Sequence, residues 1–170
     1  MLYEKIFKKL NKHEIKYLAI GGIATNLYGF SRLTMDLDIM VSPDYENFSK
    51  LFAAMTELGF KQATPVRLEQ MSFIDGHVKV SGWKGIIIVF KNPLDEDERV
   101  DVFLKNPIGF NQAYQNREVR KINDTQVHVA AFDDLIKMKE LSGREKDLRD
   151  VGYLKMIKKM LEKKNGKKQS

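Results

Sequence analysis

The chain has 170 residues, 43% of them hydrophobic and 31% charged, which suits one globular domain with a buried core. It has no cysteine, no apolar run near the ~20 residues that span a membrane, and an amphipathic start, MLYEKIFKKLNKHEIK, without a signal-peptide core. Disulfides, thiolate metal sites and a membrane role are thereby excluded, the expected setting is a reducing cytoplasm, and a net charge of +6 is compatible with nucleic acid or nucleotide as partner.

Tyr3, Ile6, Phe7 and Leu10 predict a helix over 3–12 with lysines on its other faces. A turn over 11–16 leads into a short strand, 17–20. Gly21 and Gly22 follow, then a short helix over 23–28 closed by Gly29. Asp36, Leu37, Asp38, Ile39, Met40 and Val41 read as a strand. Ser42-Pro43-Asp44 predicts a helix start with Ser42 as N-cap and Pro43 at the first helical position. Tyr45, Phe48, Leu51, Phe52, Met55 and Leu58 then form an apolar stripe assigned to the core, ended by Gly59.

Residues 61–84 leave two readings open, a short helix from Pro65 or a hairpin turning at Asp75-Gly76. A lone Trp83 is more often packing than a platform for a base, and His13 and His77 receive no chemistry. Residues 85–90 predict a strand, 92–98 an acidic solvated loop, and 99–104 a returning strand. A helix is expected over 107–115 and two short strands over 117–122 and 126–130. A helix over 131–141 buries Phe132, Leu135, Ile136 and Met138. A last helix runs from 144 to about 163, with Leu148, Val151, Leu154, Met156, Ile157 and Leu161 as core positions. The domain is expected to span 1–163, with 164–170 a disordered basic tail.

The chemistry concentrates between Gly21 and Val41. Side chains at i and i+2 of a strand share a face, with Cα atoms roughly 6.6–7 Å apart, so Asp36 and Asp38 converge. Like charges that close repel, and a divalent cation removes the penalty. A Gly-Gly pair between strand and helix lets backbone N–H groups turn toward a phosphate. Arg32 can pair with Asp36 or a phosphate, and Thr34 can bind a phosphate oxygen or brace a carboxylate. Asp101 lies between Val100 and Val102, where an unpaired carboxylate is costly, which marks it as a third acid.

Strand, Gly21-Gly22, short helix, then Arg32-x-Thr34-x-Asp36-x-Asp38 resembles the active-site motif of the nucleotidyltransferase superfamily, whose relatives include DNA polymerase beta. It looks most like the minimal nucleotidyltransferases of abortive-infection and toxin–antitoxin systems. The likeness covers roughly residues 12 to 157, because Asp134-Leu135-Ile136-Lys137-Met138-Lys139 and Gly143-Arg144-Glu145-Lys146-Asp147 are similar to a second signature of that group. The resemblance implies an α/β fold: one domain with a mixed, twisted sheet flanked by helices and a helical C-terminal section. It implies transfer of a nucleoside monophosphate from an NTP to a hydroxyl acceptor with two Mg²⁺ ions on Asp36, Asp38 and Asp101. Gly21, Gly22, Arg32, Thr34 and Lys139 would bind the nucleotide, Lys139 by matching a lysine that reaches the triphosphate. A clasp of Arg144 or Lys146 with Asp147 or Asp150 is the structural reading of the same segment. The acceptor in similar proteins is a tRNA or other RNA, a partner protein or a small antibiotic. No separate acceptor-recognition domain is visible, so a homodimer is one way to complete the pocket. The alternative is an antitoxin or regulatory module with this fold that binds without turnover or modifies a partner protein.

Overall fold

The computed structural model describes residues 2–105 and 108–166. Helix α1 (Leu2–Lys12) buries Ile6, Phe7 and Leu10 and feeds the wholly buried strand β1 (Tyr17–Ala19). The short helix α2 (Gly21–Leu27) starts at the glycine pair itself, and β2 (Asp36–Val41) follows an irregular stretch. In α3 (Tyr45–Glu57) the cap differs from expectation. The Ser42 N–H donates to the Lys16 carbonyl at 3.0 Å and prolongs the pairing of β1 with β2. The chain is therefore still extended at Ser42, and Asp44 is the N-cap, its carboxylate accepting from the Asn47 N–H at 2.8 Å. Phe48, Leu51 and Met55 of the α3 stripe are buried, but Tyr45 is exposed and meets Phe73 edge-on.

The ambiguous middle contains both a one-turn 3-10 helix (Leu68–Gln70) and a hairpin. After the two-residue β3 (Lys61–Gln62), β4 (Met71–Ile74) pairs with β5 (His77–Val80). Asp75 and Gly76 both adopt left-handed backbone, as a two-residue hairpin turn requires. The expected acidic loop at 92–98 is largely strand. β6 (Ile87–Asn92) turns through Pro93 and Leu94 alone, and β7 (Asp95–Phe103) carries the four acidic residues in its first turnward half. The Asn92 side chain accepts the Leu94 N–H at 2.9 Å, which tightens that turn enough for pairing to resume at Asp95.

Helix α4 (Phe110–Gln115) starts later than the expected position 107, which lies outside the described residues with 106. The hairpin of β8 (Glu118–Ile122) and β9 (Thr125–Val129) turns at Asn123, which is left-handed. Helix α5 (Phe132–Ser142) ends on left-handed Gly143, and α6 (Glu145–Gly166) packs on α5. Residues 167–170 of the expected tail lie outside the described residues. On α6, Val151 and Leu154 are buried, whereas Leu148, Met156 and Leu161 are exposed. The reason is that Asp147 and Asp150 occupy inner positions that the hydrophobic pattern alone assigns elsewhere.

Seven strands form one mixed sheet in the order β3-β6-β7-β2-β1-β9-β8. β2 runs parallel to β7 and antiparallel to β1, and β1 runs parallel to β9. Leu37, Ile39, Val100 and Val102 are fully buried on one face of the central pair. The opposite face of the same two strands is the polar one, and α2 packs against β2 beside it.

Candidate active site

The parallel register sets the site. Asp36 lies opposite Arg99, and Asp38 lies opposite Asp101. Neighbours in register point to the same face, as do i and i+2 on each strand, so all four side chains share one face. The structure thus brings Asp36, Asp38 and Asp101 together. It also brings a residue the sequence did not single out: Arg99 grips Asp101 with two donors, Nε to Oδ1 at 2.5 Å and Nη2 to Oδ2 at 2.7 Å. The signal was available, since Arg99 stands two residues before Asp101 on one strand. Among the described residues no three acidic or histidine side chains, as placed, enclose an ion.

Asp38 bears the strain of this grouping. Burial, then the negative charges of Asp101 and Asp36, push its carboxyl up to about 6, against a partial offset from Arg144 and Lys139. The Tyr3 hydroxyl, which donates to the Thr34 carbonyl at 3.2 Å, is likewise held above its usual range by burial and by Asp36, Glu98 and Asp38. Such a field favours a cation at the centre of the three acids.

Gly21 stands over this centre with a left-handed φ of 64°, and a side-chain carbon there would overlap the Asp38 carboxylate. A side chain at Gly22 would run into the Thr34 hydroxyl and the Arg32 guanidinium. The backbone at both glycines therefore approaches the very side chains that were singled out with it. Asn26 fixes the approach to the strand: it accepts the Arg32 N–H at 3.0 Å and donates to the Arg32 carbonyl at 2.9 Å. The Thr34 hydroxyl donates to the Asp36 carbonyl at 3.4 Å. The Arg32 guanidinium pairs with Asp150 of α6, with Nε at 3.3 Å, rather than with Asp36.

Lys139 is 4% exposed. Its amine donates to Asp150 at 2.6 Å and Asp147 at 3.3 Å. Arg144 Nε donates to Asp147 at 2.6 Å, and the Ser142 hydroxyl donates to it too. Burial raises the Asp147 carboxyl, but the bonds from Ser142 and Arg144 and the Lys139 charge outweigh it and hold it low. The clasp of Arg144 with Asp147 is thus present, and Lys139 is its buried centre.

A cleft of about 280 Å³ opens beside Asp38, between Ile20 and Gly21 on one side and the α5–α6 junction on the other. Ile86, Phe103, Leu135, Met138 and Leu141 make its walls mostly apolar, and Lys105 and Arg144 add cations. Lys139 lines it as well. Lys105 and Arg144 had no assigned role at this cleft, because no local pattern joins the end of β7 to the start of α6.

Neither the known family models nor the curated protein sequences match this chain. Solved structures do. The antibiotic-resistance factor ANT(2'')-Ia aligns over 99% of this chain and 93% of its own, with a TM-score of 0.58 and 12% identity. The lincosamide antibiotic adenylyltransferase LnuA, solved with lincomycin bound, aligns over 87% and 90%, with a TM-score of 0.58 and 16% identity. An antigenic nucleotidyltransferase-like protein from Paracoccidioides brasiliensis aligns over 90% and 73%, with a TM-score of 0.56 and 20% identity. At such low identity the agreement is one of architecture, and on that ground the chain has the nucleotidyltransferase fold.

Proposed function

We propose that the protein transfers a nucleoside monophosphate from an NTP to a hydroxyl acceptor. The observation that carries this reading is the register of β2 on β7, with Asp38 opposite Asp101, Asp36 on the same face and Gly21 against Asp38. The donor set suits Mg²⁺: hard carboxylate oxygens whose mutual repulsion is already visible at Asp38. Asp36 and Asp38 would hold the ions, and Asp101 would join them by sharing an oxygen with Arg99 or leaving it. Bound there, two Mg²⁺ ions stabilise charge on the attacking and leaving oxygens.

The chain's own residues do the rest. The acceptor oxygen forms a bond to the α-phosphorus as the bond to the β-phosphate's bridging oxygen breaks, and pyrophosphate leaves. Asp101 would take the acceptor's proton once Arg99 gives up one of its two oxygens. Backbone at Gly21 and Gly22, with Arg32 and Thr34, would steady the phosphates, and Lys139 would add charge from the cleft wall.

ANT(2'')-Ia has been solved with adenylyl-2''-tobramycin, and LnuA with lincomycin. The cleft here combines apolar walls with the cations Lys105 and Arg144 and the carboxylates of Asp38 and Asp147. The acceptor would be an RNA end, a protein hydroxyl or a small antibiotic whose hydroxyl reaches Asp38. The test is incubation with labelled NTPs, Mg²⁺ and each acceptor class. Label on one acceptor, lost in both Asp36→Asn and Asp38→Asn, is expected. Substantial turnover by both variants would overturn the assignment.

One observation favours a second reading, a module that binds without turnover or that modifies a partner protein as an antitoxin. Arg99 takes both oxygens of Asp101 and the Lys139 amine is tied to Asp147 and Asp150, so the site is closed on itself. Nucleotide binding with no label on any acceptor would select the module; label on a partner protein would select the modifying antitoxin.

A further inference from the structure

Helix α6 carries two stripes. The inner one is Asp147, Asp150, Val151 and Leu154, all buried. The outer one leaves Leu148, Met156 and Met160 exposed at 51%, 47% and 59%. Gly152 lies between Leu148 and Met156, with open space where a side chain would project. At 100° per residue, Glu145, Leu148, Gly152, Met156, Lys159 and Lys163 fall within a sector of about 80°. Single exposed apolar residues are ordinary. Leu148 and Met156, one turn to either side of a glycine on the same helix face, are a different feature.

We propose that this face pairs two copies of the chain, α6 against α6, antiparallel about a two-fold axis at Gly152. The symmetry makes the stripe complementary to itself. Residues equally spaced on either side of Gly152 meet, so Leu148 faces Met156 of the second copy and Glu145 faces Lys159, each contact occurring twice. Gly152 on the axis lets the two backbones approach closely. A parallel arrangement would set Lys159 against Lys159. Glu145 then lies between Arg149 of its own helix, at 3.0 Å, and Lys159 of the second copy, while Lys155 is offset by Glu140 at 2.7 Å. Lys163 of the second copy then extends about 6 Å beyond Glu145, toward the α5–α6 junction where Arg144 lines the cleft.

The experiment is sedimentation or light scattering over a micromolar concentration series, on protein before and after nuclease treatment. A dimer is expected for the natural sequence. Gly152→Arg sets like charges on the axis at an exposed position where arginine is the better helix former. It is expected to weaken the dimer by about tenfold or more while the thermal melt holds or rises. Glu145→Lys and Lys159→Glu should each weaken it, and the double reversal should restore it. A monomer throughout, a dimer indifferent to Gly152→Arg, or reversals that fail to compensate would overturn the proposal. So would a mass excess that disappears with nuclease, which would make the lysine-bearing face an RNA surface. None of these substitutions touches the carboxylates or glycines of the cleft, so nucleotide transfer is read separately.

Discussion

At the scale of single residues, Asp38 is the group most displaced by its surroundings. Its carboxyl titrates at about 6 in the folded chain, above the ordinary 3.8. Between those values the folded state binds more protons than the unfolded one, so stability falls as pH rises through the window and the penalty is complete above it. Asp38→Asn should therefore stabilise the protein by about 1–3 kcal/mol at pH 7 and hardly at all below the ordinary carboxylate range. Urea denaturation at the two pH values measures this; equal effects at both would contradict it. Lys139 presents the opposite case. Lys139→Met removes the buried amine shared by Asp147 and Asp150, leaving them only Arg144, Ser142 and Arg32, and should cost about 3 kcal/mol, read as a loss of denaturation midpoint. A near-neutral result would mean that its amine is not committed to Asp147 and Asp150.

Much at this scale was legible in advance. The period of two set Asp36 and Asp38 on one face, and the cost of a carboxylate between Val100 and Val102 marked Asp101. The clasp of Arg144 on Asp147 was legible too, but the grip of Arg99 on Asp101 and the partners of Asp150 were not. Besides Lys139, Asp150 pairs with Arg32, which arrives from a distant stretch of sequence, and no spacing rule connects them.

Among the elements, α3 and β7 show how pairing overrides local signals. Ser42-Pro43 is a strong start on paper, yet the Ser42 N–H is held by the Lys16 carbonyl, and the chain turns at Pro43, with the Asp44 N–H on the Ser42 carbonyl at 2.9 Å, before the helix begins. Asp44→Ala should then cost about 1 kcal/mol in thermal or chemical denaturation, and Ser42→Ala should cost less through the cap, since only Asp44 accepts from the helix end. The reverse ranking would restore Ser42 as the cap. Residues 95–98 look like a solvated charge run, and Asp95 and Asp97 are exposed; what composition does not reveal is the two-residue turn that pairs Asp95 with Asn92 and the register shift that leaves 96–98 outside the ladder until Arg99 meets Lys91. Helix α6 was assigned too wide a core stripe for a similar reason. Its hydrophobic positions are visible in the sequence, but the inward place of Asp147 and Asp150 follows from Lys139 on another helix.

Across the whole molecule, the α/β class could be read from the alternation of patterns, but the strand order could not. β1 takes partners from both ends of the chain, β2 and β9, and only the closed sheet decides this. The C-terminal helices are joined to the motif by contacts of two kinds: Arg32 on Asp150, and Phe30 stacked on Tyr153 at 4.0 Å between ring centres. They brace the entry to β2 as well as covering one end of the sheet.

The grip of Arg99 on Asp101 bears on the order of assembly. With a guanidinium already facing the acids, the chain supplies an internal counterion and can reach its native state before any divalent ion arrives. Treatment with a chelator should leave the melting temperature where it was. Arg99→Ala should lower it in chelator and regain part of the loss on adding Mg²⁺, in a scanning-fluorimetry comparison. If the natural protein melted early in chelator, maturation would have to wait for the ion. If the proposed ions bind, Arg99 would make their loading a late event, and ion supply would then govern how much protein is competent without governing how much is folded.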